Sequence, residues 1–481
     1  MNYAEITQTN DVYTDNSNDW HFYQQSYMGG RRWITTDNLF RHSREDHDDY
    51  VTRLKRATYV NYCRPIIDIY TSFIFGVETS IARNTEDELY RQLIFDADFQ
   101  GHSMHNFMET VATFSQVFGY VGIVVDMPKT DIQIVSMADL QASELRPYCT
   151  MYDALNIMDW STDKHNQLNW IRLREQTADT SDPFIDDVSG LDYQYRTWTK
   201  DEWYLHDQDG NMVDAGEHHL GVVPFISVRF KDNPLDNWIG LSQLTDIAPL
   251  NRLLTNTVSY IEEFTSKQAF PFLATPDDPI QAGIQQEEEQ IISASNVYQF
   301  PAGSQPPQYV SPPTDAPAFM KMFASDYLVK EMLRLSHLEF RELAEQSGIA
   351  KQYDFHQLNQ VLVRISRTLE SAETKIARLF EKWMEKDIDL EVDYPDDFNV
   401  RPMDSLLENA ELIRTLMNDK SPSFVNAHLR RLMEQIEPKL TPDMQHLIDT
   451  EMDEATQTEL IMSQLDETAA ATNGTRTDVG I

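Results

Sequence analysis

The chain has 481 residues, 41% of them hydrophobic and 11% aromatic, so it is long enough for two to four packed units and too apolar to be a disordered chain. With 39 Lys and Arg against 78 Asp and Glu it carries a net charge of −39. That balance excludes a protein that grips nucleic acid over a broad basic surface, because such surfaces neutralise phosphates with cations. From Asp387 onward there are 21 acidic and 7 basic residues, a net of −14, so about two-thirds of the excess lies upstream and no acidic tail accounts for it. Two readings stay open: a well-solvated surface, or a wall that repels nucleic acid. No stretch reaches ~18 uninterrupted apolar residues, so no transmembrane helix is expected. The opening MNYAEITQTND has neither a basic flank nor an apolar core and does not read as a signal peptide. Cys63 and Cys149 lack metal-ligand spacing and read as unpaired thiols of a chain made in a reducing cytoplasm.

Residues 1–45 are polar and aromatic (Trp20, Phe22, Tyr23, Tyr27, Trp33) and read as an arm that packs on something. A helix is expected from Asp48, with Val51, Leu54 and Ala57 on one face. Pro65 starts a second, nearly all-apolar helix that ends at Gly76. Met104, Phe107, Met108, Val111, Phe114, Ser115 and Phe118 recur at helical spacing, and Gly119 and Gly122 lead into a short buried strand, Ile123-Val124-Val125. From Tyr148 to Phe230 the period is two, with strands near 168–176, 192–199, 202–206 and 225–230. Asp209-Gly210 predicts a type I′ hairpin, so the segment reads as an antiparallel meander without βαβ units.

Residues 240–268 and 314–338 read as two long helices flanking a proline-rich insert with short strands at Phe272–Ala274 and Asn296–Phe300. Helices of this length are close to 40 Å long. Such a stalk with a small knob suits a machine that projects a contact away from its body. Ser347-Gly348 leads to a third long helix ending near Lys386. The acidic run Asp387–Asp397 marks a boundary, and Ser421-Pro422 and Thr441-Pro442 start short helices in the segment that follows.

Signatures of catalysis are missing. Gly29-Gly30-Arg31-Arg32 is a turn and not a phosphate loop. His42, Asp46, His47, Asp48 and Asp49 could suggest a metal site, but acids before a helix suit its positive dipole end. Asp207-x-Asp209-Gly210 opens like a calcium loop, yet residue 218 is His where the loop needs Glu. No nucleophile is paired with a base at an elbow, so no enzyme activity, cofactor or metal is expected.

Five segments in order carry a resemblance. YVTRLKRATYVNYCRPIIDIYTSFIFG (Tyr50–Gly76) resembles the N-terminal wing helices of tailed-phage portal proteins. HHLGVVPFISVRF (His218–Phe230) is similar to that family's turn into a strand, followed by GLSQLTDIAPLNRLLTNTVS (Gly240–Ser259) entering the first stem helix. QAFPFLA (Gln268–Ala274) with PAGSQPPQYVSPP resembles the clip. EQSGIAK (Glu345–Lys351), before a helix with Arg364, Arg367 and Glu370, resembles the segment after the second stem helix. The resemblance covers residues 50–386 and neither terminus.

It implies an α+β, mainly helical portal fold: a wing of helices plus an antiparallel β meander, a two-helix stem, a small α/β clip and a helical crown. On that mapping the arm is 1–45, the wing 46–239, the stem helices 240–268 and 314–338, and the clip 269–313. A tunnel loop takes 339–355, a long wing helix and linker 356–399, the crown 400–465 and a tail 466–481. The implied assembly is a dodecameric ring at one capsid vertex, made in the host bacterial cytoplasm and carried in the virion. Double-stranded DNA passes through it during packaging and ejection. The implied partners are the terminase large subunit, a head–tail adaptor, the major capsid protein and the scaffolding protein, with no membrane. Candidate ring-interface residues are Phe319, Phe323, Tyr327 and Leu328, candidate DNA-channel cations Lys330, Arg334 and Lys351, and candidate clip docking residues Pro301, Pro306, Pro307 and Tyr309. A different ring-forming connector or adaptor, and a metal-dependent enzyme using the carboxylates, are the alternatives.

Overall fold

The computed structural model describes residues 6–76, 81–129, 145–177, 192–269, 272–274, 308–310, 315–339 and 348–398, with isolated helical positions between 411 and 451. For 267–269, 272–274, 308–310, 315–316 and 348–354 it describes the backbone alone. The chain divides into two compact units, Met1–Asp397 and Phe398–Ile481.

The first unit is α+β, and all its strand pairs are antiparallel. Its helices are α1 (Asp11–Met28), α2 (His47–Arg56), α3 (Cys63–Phe75), α4 (Glu88–Phe95) and α5 (Met104–Phe118). A three-stranded sheet, in the order β3 (Tyr148–Asp153), β2 (Tyr120–Asp126), β9 (Phe225–Arg229), runs through its centre. The meander expected from the alternating pattern is a five-stranded sheet of β4 (Ile157–Thr162), β5 (Leu168–Thr177), β6 (Asp192–Thr199), β7 (Glu202–His206) and β8 (Met212–Glu217), in sequence order. Its hairpin at 207–211 differs from the expected type I′ turn. Only Gly210 has positive φ, 91°, and the Asp207 carboxylate accepts from the Asp209 and Asn211 amides. The longer loop lets an Asp side chain bridge the turn, so one left-handed residue suffices.

Helix α5 is the core element. It is capped by the Ser103 hydroxyl, and Met104, Phe107, Met108, Val111, Ser115 and Phe118 are buried at helical spacing. Strand β2 extends the expected Ile123–Val125 to seven residues, six of them buried, because it is the central strand of its sheet and pairs on both edges. Residues 6–45, read from sequence as an arm, are built into this unit: α1 buries Tyr13, Trp20 and Tyr23, and the Trp20 ring lies 5.6 Å from that of Tyr120. Of the expected Val51–Leu54–Ala57 stripe only Ala57 is fully buried, while Val51 and Leu54 are half-buried, and the innermost face of α2 carries Tyr50 and Arg53. Asp46 caps it, its carboxylate accepting from the Asp48 amide, as the helix-start reading of the acidic cluster requires.

A 37-residue helix, α9 (Gly348–Met384), packs across β9, α3 and α5, and the chain then returns along it through β14 (Leu390–Asp393), paired with β1 (Ala82–Thr85). A buried ion pair fixes this return. Arg83 donates from Nε and a terminal nitrogen to Glu373 at 2.5 and 3.0 Å, and the Tyr394 hydroxyl donates to the same carboxylate at 2.7 Å. In the second unit a helical turn opens at Ser421, whose carbonyl accepts from the Phe424 and Val425 amides. The start expected at Thr441-Pro442 lies outside the described residues.

The first long helix is α6 (Leu244–Ala269); it does not begin at residue 240 because 236–240 form strand β11, paired with β10 (Asp232–Asn233). At this junction two backbones meet. Gly119 closes α5 at φ 89°, and a Cβ on it would strike the Gly240 carbonyl, while one on Gly240 would strike the Gly119 carbonyl. Ser242 then serves both helices: its hydroxyl donates to the Val117 carbonyl at 2.6 Å and accepts from the Leu244 amide at 3.0 Å. Gly119→Ala should therefore destabilise the protein beyond the ~1–2 kcal/mol of an unfavourable left-handed residue, because the added methyl meets a carbonyl that cannot move alone. Ser242→Ala should cost about 1 kcal/mol. Thermal and urea unfolding of the two variants checks the order; equal midpoints for Gly119→Ala and the parent would show that the crossing relaxes freely.

Candidate functional site

The two segments read as stem helices pair along their length. Helix α6 has 26 residues, about 39 Å at 1.5 Å per residue. The second segment is α7 (Asp315–Met322), a seven-residue π-helical stretch (Phe323–Val329) and α8 (Lys330–Leu335). A π turn inserts an extra residue into the helical repeat and so rotates every side chain beyond it.

The residues picked out as one aromatic face divide by burial. Ala324, Leu328 and Met332, four apart, are buried, and Leu328 has no exposed surface. Leu328 therefore belongs to the interior of the chain and leaves the candidate ring face. Phe319 and Tyr327 remain 63% and 56% exposed, with Met322 beside them at 51%. Phe323 is half-buried, and its ring stacks on that of Tyr327 with centroids 5.4 Å apart. Solvent thus meets a stripe of two aromatic rings and a thioether on one helix.

Helix α6 turns a polar row toward the N-terminal segment. Asn251 accepts from the Tyr62 amide at 3.1 Å and donates to the Tyr59 hydroxyl at 2.5 Å. Asn256 accepts from the Phe40 amide and donates to the Asn38 carbonyl, both at 2.9 Å. Ser259 accepts from Arg53 at 2.9 Å. The Arg53 guanidinium is itself 2% exposed, held by Glu45 at 2.7 Å, by the Phe40 carbonyl at 2.7 Å, and over the Tyr260 ring at 4.6 Å. The hydrogen bonds from Arg53 hold the Glu45 carboxyl below its ordinary pKa. Farther along, the Tyr70 hydroxyl of α3 donates to the Ser336 carbonyl at 2.5 Å and anchors the end of the second stem segment. None of these clamp residues was marked by apolar periodicity. The available signal was polar: asparagines inside a long helix compete with their own backbone unless a partner engages them.

The candidate cations divide. Lys330 is exposed, 3.8 Å from Asp326, and Arg334 is engaged by Glu331 through two bonds of 2.8 and 2.5 Å. Lys351 lies in the first turn of α9, and its side chain is outside the described residues. Pro301, Pro306 and Pro307 are likewise outside them. Tyr309 lies in β13 (Gln308–Val310), its backbone paired with Leu273 in β12 (Phe272–Ala274). Both cysteines are buried, and burial pushes the Cys63 thiol up to about 12. Among the described residues no group of three or more His, Cys, Asp or Glu side chains could hold a metal ion, and no helix is long and apolar enough to cross a membrane.

No family model matches the chain, and no curated protein matches it. Among solved structures it is similar to a chain in the neck of an empty GTA particle computed with C6 symmetry. The two are 12% identical, the TM-score is 0.44, and the match covers 83% of this chain and 98% of that one. It is also similar to a chain in the neck of a native GTA particle computed with C12 symmetry, at 12% identity and TM-score 0.39, over 75% and 89% of the two chains. A third match, at 12% identity and TM-score 0.39, is to a chain in the virion of a native gene transfer agent particle, over 82% and 98%. At these scores the likeness carries no argument about what the chain does.

Because Arg53 joins α2, the N-terminal segment and α6, Arg53→Leu should strand the Glu45 carboxylate and cost about 3–5 kcal/mol. The lowered Glu45 pKa also sets a pH window. The pair's contribution is complete above the ordinary glutamate value of 4.5 and is lost as the pH falls through the lowered one. Unfolding midpoints of the parent and Arg53→Leu should therefore converge in acid; a constant difference down to strongly acidic pH would assign the loss to packing instead.

Proposed function

We propose that the chain is the subunit of a portal-type connector of a tailed bacteriophage: a dodecameric ring at one capsid vertex through which double-stranded DNA is packaged and ejected. The observation that carries this reading is the stripe of Phe319, Met322 and Tyr327, exposed on a long helix pair that the rest of the chain clamps rigidly in place. Isolated exposed rings are ordinary, but an aromatic stripe along one side of a long helix pair suits a surface that another molecule covers. In a closed ring each copy presents this face to a different face of its neighbour, a heterologous contact that closes by rotation. The five sequence segments resembling portal proteins, in the same order along the chain, support the same conclusion.

The chemistry of the proposed role is passage, not catalysis. Net charge of −39 suits a channel in which DNA must slide, since every phosphate contact made has to be broken again. Lys330, Arg334 and Lys351 would supply sparse positive rings that centre the duplex, with Arg334 already shared with Glu331. The proline-rich insert would serve as the clip that docks the terminase large subunit and then a head–tail adaptor. The major capsid protein and the scaffolding protein would meet the outer wing.

Negative-stain images of the purified protein should show hollow rings of about twelve subunits; a population of compact monomers at all concentrations would overturn the reading. Phe319→Asp with Tyr327→Asp should give soluble, fully helical monomers. Each ring loses ~1.5–3 kcal/mol of burial, at least a hundredfold in each subunit contact for the pair. A double variant that sediments as the parent ring would put this face elsewhere. The triple variant Lys330→Ala, Arg334→Ala and Lys351→Ala should assemble normally and change packaging rate or DNA retention, most at low salt. If packaging and retention match the parent at every salt concentration, these cations take no part.

A further inference from the structure

Against the charge of the whole chain, one cleft is strongly basic. It lies between the end of β9 and the middle of α9, encloses about 550 Å³, and brings together Arg229, Lys231, Arg364, Arg367 and Lys375 with one acid, Asp232. Asp232 is taken up by Arg229 at 3.1 Å. Arg364 rests 5.7 Å from the Phe230 ring. Among the described residues Lys231, Arg367 and Lys375 have no carboxylate partner, and the Ser227 hydroxyl, which lines the same cleft, is buried without a hydrogen-bond partner. The Lys375 ammonium is held below its usual pKa, first by desolvation and then by repulsion from Arg229 and Arg378. Lys231, Arg364, Arg367 and Lys375 are exposed and solvated, and an acidic group entering the concave site would meet several cations at once.

The complementary surface lies on the far side of the same helix. Glu373 follows Arg364 by nine positions, about two and a half turns, so the two point in opposite directions. Glu373, through Arg83 and Tyr394, fixes the β1–β14 ribbon on its side. Glu391 and Asp393, two apart on β14, project from the outer face of that ribbon, opposite Asn84 and Ala82, and both are exposed. Asp389, just before the strand, is exposed as well. Carboxylates two apart on a strand are ~7 Å apart, and cations at i and i+3 on a helix, such as Arg364 and Arg367, are ~5–6 Å apart at Cβ, well within reach of long side chains.

We infer that the cleft of one copy is the seat for the acidic β14 edge of the next copy. The contact would be head-to-tail, because the two halves sit on opposite sides of α9 and a chain cannot reach its own cleft without crossing its own helix. This rests on the ring reading above and adds to it a second, electrostatic contact, separate from the aromatic stripe. A second copy fits the cleft better than DNA does: the occupant must enter a concave site, where a short acidic strand edge can reach, and the net charge of −39 opposes the approach of a duplex.

Charge reversal in four chains tests it: the parent, Arg364→Glu/Arg367→Glu, Glu391→Lys/Asp393→Lys, and a chain carrying all four substitutions. Circular dichroism and thermal midpoints check that each folds. Sedimentation and mass photometry across salt concentrations should show rings for the parent and at least tenfold weaker association for each double variant. Rings should return in the chain with all four substitutions, and the parent's association should weaken with salt. Double variants that form rings as the parent does would overturn the seat and leave the ring reading standing. A parent that is monomeric throughout would overturn the ring reading, and the seat with it. A labelled 20-base-pair duplex provides the last arm. If Arg364→Glu/Arg367→Glu loses duplex binding while forming rings normally, the cleft is a nucleic-acid site and the inference is wrong.

Discussion

The first unit depends on one place where two backbones touch. Gly119 and Gly240 face each other with no room for a side chain on either, and within a few residues α5 ends, β2 begins, β11 ends and α6 starts. The Gly119 carbonyl accepts from the Phe230 amide at 2.9 Å and the Gln116 carbonyl from the Gln243 amide at 3.0 Å, so α5, β9 and the lead into α6 share one hydrogen-bond system. Helix ends leave carbonyls and amides without partners, and burying such an end is costly. Here one end supplies what the other lacks, with Ser242 as the go-between. The direction in which the long helix pair leaves the body is therefore set by backbone geometry, not by adaptable side chains.

From that origin α6 is held by buried apolar residues, Leu244, Ile247, Ala248 and Leu254, and beyond them by a row of polar ones. Asn251, Asn256 and Ser259 are buried and hydrogen-bonded to the N-terminal segment, with Arg53 at the centre of a buried network. Hydrogen bonds of this kind are directional, so they fix rotation about the helix axis as well as position. In the second stem segment Leu328 is buried while Tyr327, its immediate neighbour, stays in solvent, as successive residues of a helix point about 100° apart. An aromatic stripe on a rigid, rotationally fixed helix pair is a surface whose direction is specified in advance of any partner.

Charge is distributed with the same directionality. The surface is acidic overall, and beyond ~8 Å exposed charges are screened at physiological ionic strength, so the net value acts as a background. What discriminates between partners is local: a basic cleft on one side of α9 and an acidic strand edge on the other. The buried Arg83–Glu373–Tyr394 cluster sits between them and ties the acidic ribbon to the helix that forms the cleft's wall. The two charged surfaces are thereby parts of one rigid element.

Much of this was legible in the chain itself. Period-two alternation marked the strands at 192–199 and 202–206 to the residue, and helical periodicity ending at Gly119 marked α5, because burial of one face leaves its period in any sequence. The two long helices were legible for the same reason, though the first begins at Leu244 and the second is interrupted by a π-helical stretch; residues 275–307 of the insert between them lie outside the described residues. Burial by a distant segment leaves no period. The N-terminal residues read as an arm that packs on something, without a partner in view, because Tyr120, Leu155 and Asn256 lie a hundred or more residues away. Helix α2 faced inward with an arginine because Glu45, Ser259 and a tyrosine ring converge on it, which only folding can arrange. Leu328 was grouped with the aromatic residues by proximity in sequence; it follows Phe319 by nine positions, about two and a half turns, so it sits opposite that ring and is buried. The basic cleft is assembled from β9 and α9, more than 120 residues apart, and no local composition announces it. Local periodicity and capping were fixed by the sequence alone; which polar groups meet, and which surfaces remain for partners, was decided by long-range contacts, since hydrogen bonds and ion pairs act only between groups that the fold has already brought within a few ångströms.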